Sequence, residues 1–278
     1  MSEIYSHSRL SSFENCRKKF YFRYILKLPE DSEGVEAFVG KRVHEILERL
    51  YQFIDQGHLP RFEQVIERYK ANFEEQYDPS RIRIVKKGFD KAYYRELGVR
   101  CLTHFYRRHY PFDADESLGI EQHVSFSLDA AGDYRMQGII DRIVRTRDGI
   151  IEIQDYKTGN YVPSQSQLDQ DRQLALYQIG VSEQLGHRGP FRLVWHYLAK
   201  DRTCTSTRSP AKLDQLKQQV IALIDEIRAT EEFPAQKNNL CNWCEYKSAC
   251  PLFGGKEPEL AAPRARPALP GTPEAGHS

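Results

Sequence analysis

Nowhere in the 278 residues do about 18 apolar residues follow one another, so no membrane-spanning helix is expected. The start, Met1 to Leu10, contains Glu3, His7 and Arg9 without an apolar run; no signal peptide is read there, and a soluble cytoplasmic protein is the expectation. Net charge is nearly absent: 40 Lys+Arg against 39 Asp+Glu leave +1 at pH 7. The field of the whole molecule therefore favours no nucleic acid, and any such argument must be local. No internal repeat and no helicase motif is present. Cysteine is scarce, six in all, and in a reducing compartment the clustered ones read as metal ligands rather than disulfides.

What is present suffices for a sizeable core. With 40% hydrophobic and 12% aromatic residues, the chain reads as one large domain over residues 1–253, with a helical insertion at about 60–112. The tail from 254 to 278 is rich in Pro, Ala and Gly and reads as disordered. Ser8 to Leu28 reads as a helix with Ser11 or Ser12 near its start. A second helix runs from Val35 to Ile54, where Val39, Val43, Ile46, Leu47 and Leu50 repeat at helical spacing. Strands are expected at His123–Leu128, Tyr134–Thr146, Ile150–Lys157 and Phe191–Leu198, and helices at about 167–185 and 212–229. Three basic clusters occur. Arg17, Lys18, Lys19, Arg23 and Lys27 interleave with Phe20, Tyr21, Phe22 and Tyr24, and could touch DNA; the others gather around Lys86 and around Arg107.

In Ile151-Glu152-Ile153-Gln154-Asp155-Tyr156-Lys157, alternation puts Ile151, Ile153, Asp155 and Lys157 on one face. The preceding strand carries Asp141. A three-residue loop, Arg147-Asp148-Gly149 with Gly149 left-handed, would pair residue 146 with 150 and set Asp141 opposite Asp155; a two-residue loop would put them on opposite faces. Two carboxylates on one face repel unless a cation lies between them, and hard oxygen ligands suit Mg²⁺ or Mn²⁺. Cys16 stands alone, whereas Cys241, Cys244 and Cys250 form C-x2-C-x5-C, so the four read as one metal site tying the two ends together. Thiolates bind zinc or an iron–sulfur cluster, and spacing does not separate the two. Cys101 and Cys204 read as ordinary buried or half-buried thiols.

Gly138-Ile139-Ile140-Asp141 followed by Asp155-Tyr156-Lys157-Thr158-Gly159 resembles the PD-(D/E)xK nuclease superfamily, specifically its RecB-like branch. His44 in Gly40-Lys41-Arg42-Val43-His44-Glu45 matches the helical metal-ligating histidine of that family, with Gly40 one turn earlier. Gln173 and Tyr177 match the Q-x-x-x-Y element associated with holding the DNA strand. The cysteine set resembles the iron–sulfur staple of AddB-type nuclease domains and of the CRISPR-associated nuclease of the same branch.

The likeness covers about residues 8–252, and 62–110 contributes no motif to it. It implies an α/β restriction-endonuclease-like core, a central mixed β-sheet flanked by helices, with the helical insertion and an Fe–S staple. It implies catalytic His44, Asp141, Asp155 and Lys157; Mg²⁺ or Mn²⁺ on His44, Asp141, Asp155 and the carbonyl of Tyr156; and a [4Fe–4S] cluster on Cys16, Cys241, Cys244 and Cys250. The implied activity is that of a deoxyribonuclease, an exonuclease on single-stranded DNA or DNA ends in recombination, repair or CRISPR adaptation, with a helicase or adaptation partner. A non-catalytic nucleic-acid- or partner-binding module retaining the fold is the alternative. Two acids and an amine on one face, for which such a module has no chemical use, argue against it.

Overall fold

The computed structural model describes residues 3–256. The tail expected to be disordered lies, from residue 257 onward, outside the described residues. After a two-residue strand β1 (Ile4–Tyr5), helix α1 (His7–Asn15) starts from Ser6, whose hydroxyl accepts a hydrogen bond from the Arg9 amide at 3.2 Å. The cap is thus Ser6, ahead of the expected Ser11 or Ser12, because the first unsatisfied helical amides lie there. The single helix expected over Ser8–Leu28 is also interrupted. Cys16 is extended (φ −164°, ψ 112°), and the chain resumes as α2 (Arg17–Phe20) and a π-helical turn, Tyr21–Ile25.

A short strand β2 (Glu33–Gly34) leads into α3 (Val35–Asp55), then come α4 (Phe62–Gln76), a strand β3 (Ile82–Arg83) paired in parallel with β2, and α5 (Lys91–His109). Val39, Val43, Leu47 and Leu50 on the apolar stripe of α3 meet Tyr69 and Phe73 of α4 and Leu102 and Phe105 of α5 in a core of their own. Tyr156 and Leu198 extend this core to the sheet. The stretch expected as a helical insertion therefore packs against α3 and also reaches the central sheet itself, where Phe105 of α5 meets Tyr156 and His196.

That sheet comprises β4 (Glu116–Ser127), β5 (Arg135–Arg145), β6 (Ile151–Lys157), β7 (Phe191–Tyr197) and β8 (Arg202–Ser206), with β1 at its edge. Strand β5 is antiparallel to β4 and β6, β6 is parallel to β7, and β7 is antiparallel to β8, so the sheet is mixed. Parallel pairing of β6 and β7 requires a crossover, supplied by α6 (Gln165–Leu168) and α7 (Gln173–Gln184). The single helix expected over about 167–185 is these two pieces. Helix α8 (Pro210–Ala229), capped by Ser209, follows β8. On the face away from α3, Leu10, Phe20, Ile140, Ile153, Leu174, Trp195 and Ile224 form the other core. No helix among the described residues is long and apolar enough to cross a membrane.

Candidate active site

The β5–β6 hairpin sets the register on which the site depends. Gly149 has φ +82°, its amide donates to the Thr146 carbonyl at 2.9 Å, and the Thr146 amide donates to the Ile150 carbonyl at 2.9 Å. This is the three-residue loop with a left-handed glycine, a position that costs a side-chain-bearing residue steric strain. The ladder then runs Arg145↔Ile151, Val144↔Glu152, Ile143↔Ile153 and Arg142↔Gln154, which brings Asp141 opposite Asp155. The amide of Tyr156 donates to Asp141 Oδ2 at 2.7 Å, fixing that carboxylate against the end of β6.

Helix α3 delivers His44 to the same point. Gly40, one turn earlier, faces the end of β6, where an added Cβ would lie 3.4 Å from Thr158 Oγ1. His44 Nε2 donates to the Tyr156 carbonyl at 2.8 Å, and Nδ1 lies 3.4 Å from Asp141 Oδ1. Burial pushes the imidazole pKa down, but the hydrogen bond and charge of Asp141, the charge of Asp155 and the Tyr156 carbonyl outweigh it and raise it to about 9. A proton on His44 thus sits where a cation would satisfy the same oxygens.

Asp155 is buried, with 4% of its surface exposed. Lys157 Nζ lies 2.8 Å from its Oδ2 and donates to its Oδ1 at 3.0 Å. Burial pushes the Asp155 pKa up and Lys157 opposes that rise, while Asp155 holds the Lys157 pKa above the ordinary lysine value against burial. Gln173, at the start of α7, donates from Nε2 to Asp155 Oδ1 at 3.1 Å and accepts from Lys157 Nζ on Oε1 at 3.1 Å. The amide therefore clamps the acid–amine pair, a contact that the strand-holding role implied by the Q-x-x-x-Y element does not include. Tyr177, one turn later, lies over β5 at Gly138, where a Cβ would come within 2.3 Å of the ring.

One residue in this centre is absent from the sequence expectations. Ile120 pairs with Arg142 and Gln122 with Ile140, so Glu121 of β4 is bracketed opposite Asp141. Glu121, His44 and Asp141 each offer a ligand atom, all within 4.8 Å of one another, the only such grouping among the described residues. Burial and the charge of Asp141 push the Glu121 pKa up to about 7. Glu121 lies N-terminal to the strand expected from His123, and an isolated Glu in an alternating stretch carries no distinctive spacing. Two hard carboxylates and an imidazole, with Asp155 and the Tyr156 carbonyl adjacent, are a donor set that fits Mg²⁺ or Mn²⁺. Beside Lys157 an opening of about 710 Å³ is lined by Lys86, Asn160, Tyr161, Asp171, Trp195 and Tyr197.

At the other end of α1, Cys16, Cys241, Cys244 and Cys250 line one cavity of about 340 Å³. The Asn238 amide points at Cys241 Sγ, 3.3 Å away, and its side-chain nitrogen donates to the Asn15 carbonyl at 2.9 Å. Basic side chains of the first cluster close this junction. Arg17 pairs with Glu226 at 2.5 Å, and Lys19 with Glu245 at 2.8 Å; Arg23 also reaches Glu245, at 3.3 Å. Arg17, Lys19 and Arg23 are thereby committed to holding the C-terminal segment, and Phe20 and Phe22 are buried. Cys101 and Cys204 are buried elsewhere.

No curated protein matches the chain significantly. Among solved structures, a candidate exonuclease from Eubacterium rectale is 15% identical, with a TM-score of 0.47 over 88% of each chain. The protein SSO0001 is 15% identical, with a TM-score of 0.35 over 86% of this chain and 95% of its own. The sequence model of one family, described as the PD-(D/E)XK nuclease superfamily, matches residues 4–251, from β1 to just past the last of the four cysteines. That span includes every residue of the centre built above, and the chain belongs to the PD-(D/E)XK nuclease superfamily.

Proposed function

We propose that this chain is a metal-dependent deoxyribonuclease of the RecB-like branch, hydrolysing phosphodiester bonds of single-stranded DNA or DNA ends as an exonuclease. The observation that carries the proposal is the placement of Lys157, clamped by Asp155 and Gln173, one strand away from Asp141. Nucleases of this superfamily use divalent metals. His44, Asp141, Asp155 and the Tyr156 carbonyl are the groups assigned to hold the ion. When bound, it would neutralise charge on the phosphate and polarise the P–O bond.

The protein supplies the rest. Lys157 carries a positive charge on the open side of the site, where it can orient the attacking water or stabilise charge developing on the phosphoryl oxygens. Gln173 keeps the Lys157 amine and the Asp155 carboxylate in one geometry, so neither must reorganise during reaction. Tyr177, packed on Gly138, is assigned to the strand, and the opening lined by Lys86 and Tyr161 offers it a cation and an aromatic face. Preference for single strands or ends, and a setting in recombination, repair or CRISPR adaptation beside a helicase-type partner in the cytoplasm, rest on the resemblance to the RecB-like branch.

The four cysteines are assigned a [4Fe–4S] cluster that staples the two ends. Tetrahedral zinc, with Zn–S bonds of about 2.3 Å, needs sulfurs within roughly 4 Å of one another. Here no three of the described thiols lie within 4.8 Å; they border a cavity instead, which suits a larger inorganic core.

End-labelled single- and double-stranded DNA, incubated with Mn²⁺ or Mg²⁺, tests the activity. Release of short labelled products from single strands, lost in Asp141→Ala, is expected. Internal cuts in closed circular DNA would contradict the exonuclease reading, and equal cleavage by Asp141→Ala would remove the proposed centre.

A further inference from the structure

We infer that Phe89, in the turn between β3 and α5, is a stacking platform for an unpaired base of the substrate strand, with Lys86 and Lys87 beside it for the strand's phosphates. This role rests on the nuclease reading above and deepens it, giving the helical stretch that contributes no motif a place in strand binding.

Position is the first support. The opening beside Lys157 and a smaller cavity of about 110 Å³ share Lys86, Gly159 and Asn160 as walls, and the smaller one continues to Phe89 and Tyr93. A path therefore leads from the Lys157 amine, past the Thr158 and Gly159 that follow it in the chain, to an aromatic side chain of the helical stretch.

Exposure is the second. Phe89 is 40% exposed, whereas Tyr94 and Leu97, which line the same cavity, are buried. Its ring lies against Tyr93, with centroids 4.3 Å apart. Packing explains part of this arrangement. Phe89 directly precedes Asp90, whose carboxylate caps α5 by accepting from the Tyr93 amide at 2.8 Å, and its ring meets that of Tyr94, the fourth helical residue, with centroids 6.3 Å apart. An apolar residue at that place fixes the entry of the chain into the helix, and leucine would serve as well. An aromatic ring left open to solvent is surplus to that task.

Charge is the third. The turn Lys86-Lys87-Gly88-Phe89 sets two cations within three residues of the ring. Lys86 Nζ lies 3.7 Å from Glu36 Oε1, and among the described residues Lys87 has no ion-pair partner. In the same basic cluster Arg83 and Lys91 are committed to the fold, through the Cys244 carbonyl at 3.1 Å and Glu74 at 2.5 Å. Cations beside an exposed ring are the chemistry that holds single strands: the charges track phosphates, and any base can stack on the ring through its π face. A base paired inside a duplex has both faces covered, so the occupant is an unpaired one.

Stacking and packing diverge in two substitutions. Phe89→Leu keeps the apolar contact and loses the ring, whereas Phe89→Trp keeps a ring. The experiment measures the affinity of wild type and both variants in EDTA, where a metal-dependent nuclease leaves its substrate whole. The probes are a labelled single strand of DNA and a strand of equal length built from abasic sites, and wild-type cleavage of the first in Mn²⁺ is followed in parallel. Phe89→Leu is expected to bind the base-bearing strand at least about 5-fold more weakly than wild type, the lower end of base–aromatic stacking, and Phe89→Trp within about twofold of it. All three proteins are expected to bind the abasic strand alike. Affinity of Phe89→Leu for the base-bearing strand within about twofold of wild type would overturn the platform and leave the nuclease reading standing. An equal loss on the abasic strand would overturn it too, by marking Phe89 as structural. Wild type that leaves the strand uncut in Mn²⁺ would overturn the nuclease reading and the platform with it.

Discussion

Lys157 shows how a few neighbours define a chemical role. Its charge lies against a buried carboxylate and an amide that has both a donor and an acceptor to give, so the amine is ionised and hydrogen-bonded in place before any substrate arrives. Two other ionisable side chains, the buried His196 and the half-buried His109, have no charged or amide partner of this kind. His109 lies against Phe105, and burial, followed by the charges of Arg142 and Arg108, pushes its pKa down to about 4; burial, then His109, Arg142 and Arg108, lower that of His196. Both are neutral in the fold, whereas an unfolded histidine takes up a proton near pH 6.5. The unfolded chain therefore binds more protons below that value. The stability associated with His109 is fully present above about pH 6.5 and lost as pH falls towards about 4, by at most about 1.4 kcal/mol per pH unit. Thermal melts between pH 7 and pH 5 should fall more steeply for wild type than for His109→Asn; parallel profiles would contradict the assignment. The contribution of His44 has the opposite sign, being lost as pH rises towards about 9, and the Glu121 carboxyl favours the fold as pH falls below about 7. Comparison with the variant, rather than the wild-type slope alone, isolates His109.

Elements place these residues, and here the sequence is legible to different depths. Asp155 and Lys157 can be assigned to one face because alternation in Ile151–Lys157 is unbroken, and Asp141 can be set opposite because Gly149 marks the turn type. The site end of β4 is not legible: its alternation breaks at Glu121, where the backbone takes a rare conformation that no residue type announces. Strand β8 escapes notice because Arg202-Thr203-Cys204-Thr205-Ser206 lacks large apolar residues and joins the sheet only by pairing with β7. The break at Cys16 hides inside a run with good helical composition; in the fold the Asn15 carbonyl beside it accepts from Asn238, more than 200 residues away. A close approach of elements gives a further prediction. Gly138 lets the Tyr177 ring of α7 lie directly on β5, so Gly138→Ala should destabilise the fold by about 1–3 kcal/mol and push α7 away from the site. Urea unfolding of the variant measures this, and an unchanged midpoint would mean that the ring moves aside freely.

At the scale of the whole fold, ion pairs and the proposed inorganic link meet at one junction. Ion pairs from Arg17, Lys19 and Arg23 reach Glu226 and Glu245, and the four cysteines line one cavity. Ion pairs that solvent reaches, as it reaches at least one member of each pair here, contribute little individually, so the proposed inorganic link is the stronger of the two. Treated as a cross-link between residues 16 and 241, it would stabilise the fold by about 5 kcal/mol, comparable with the whole stability of many domains. Anaerobically purified wild type should be brown and contain iron and sulfide, while Cys16→Ala should be colourless and melt at a lower temperature. Zinc in place of iron, or a colourless variant that melts like wild type, would contradict the staple.

The central claim is that one centre, built from His44, Asp141, Asp155 and Lys157, hydrolyses DNA. Single-turnover cleavage of a labelled single strand in Mn²⁺, with strand affinity measured in parallel, tests it most directly. Lys157→Ala and Asp155→Asn are predicted to slow cleavage at least about 100-fold, with strand affinity within a few-fold of wild type. Cleavage by both variants at the wild-type rate would contradict the account.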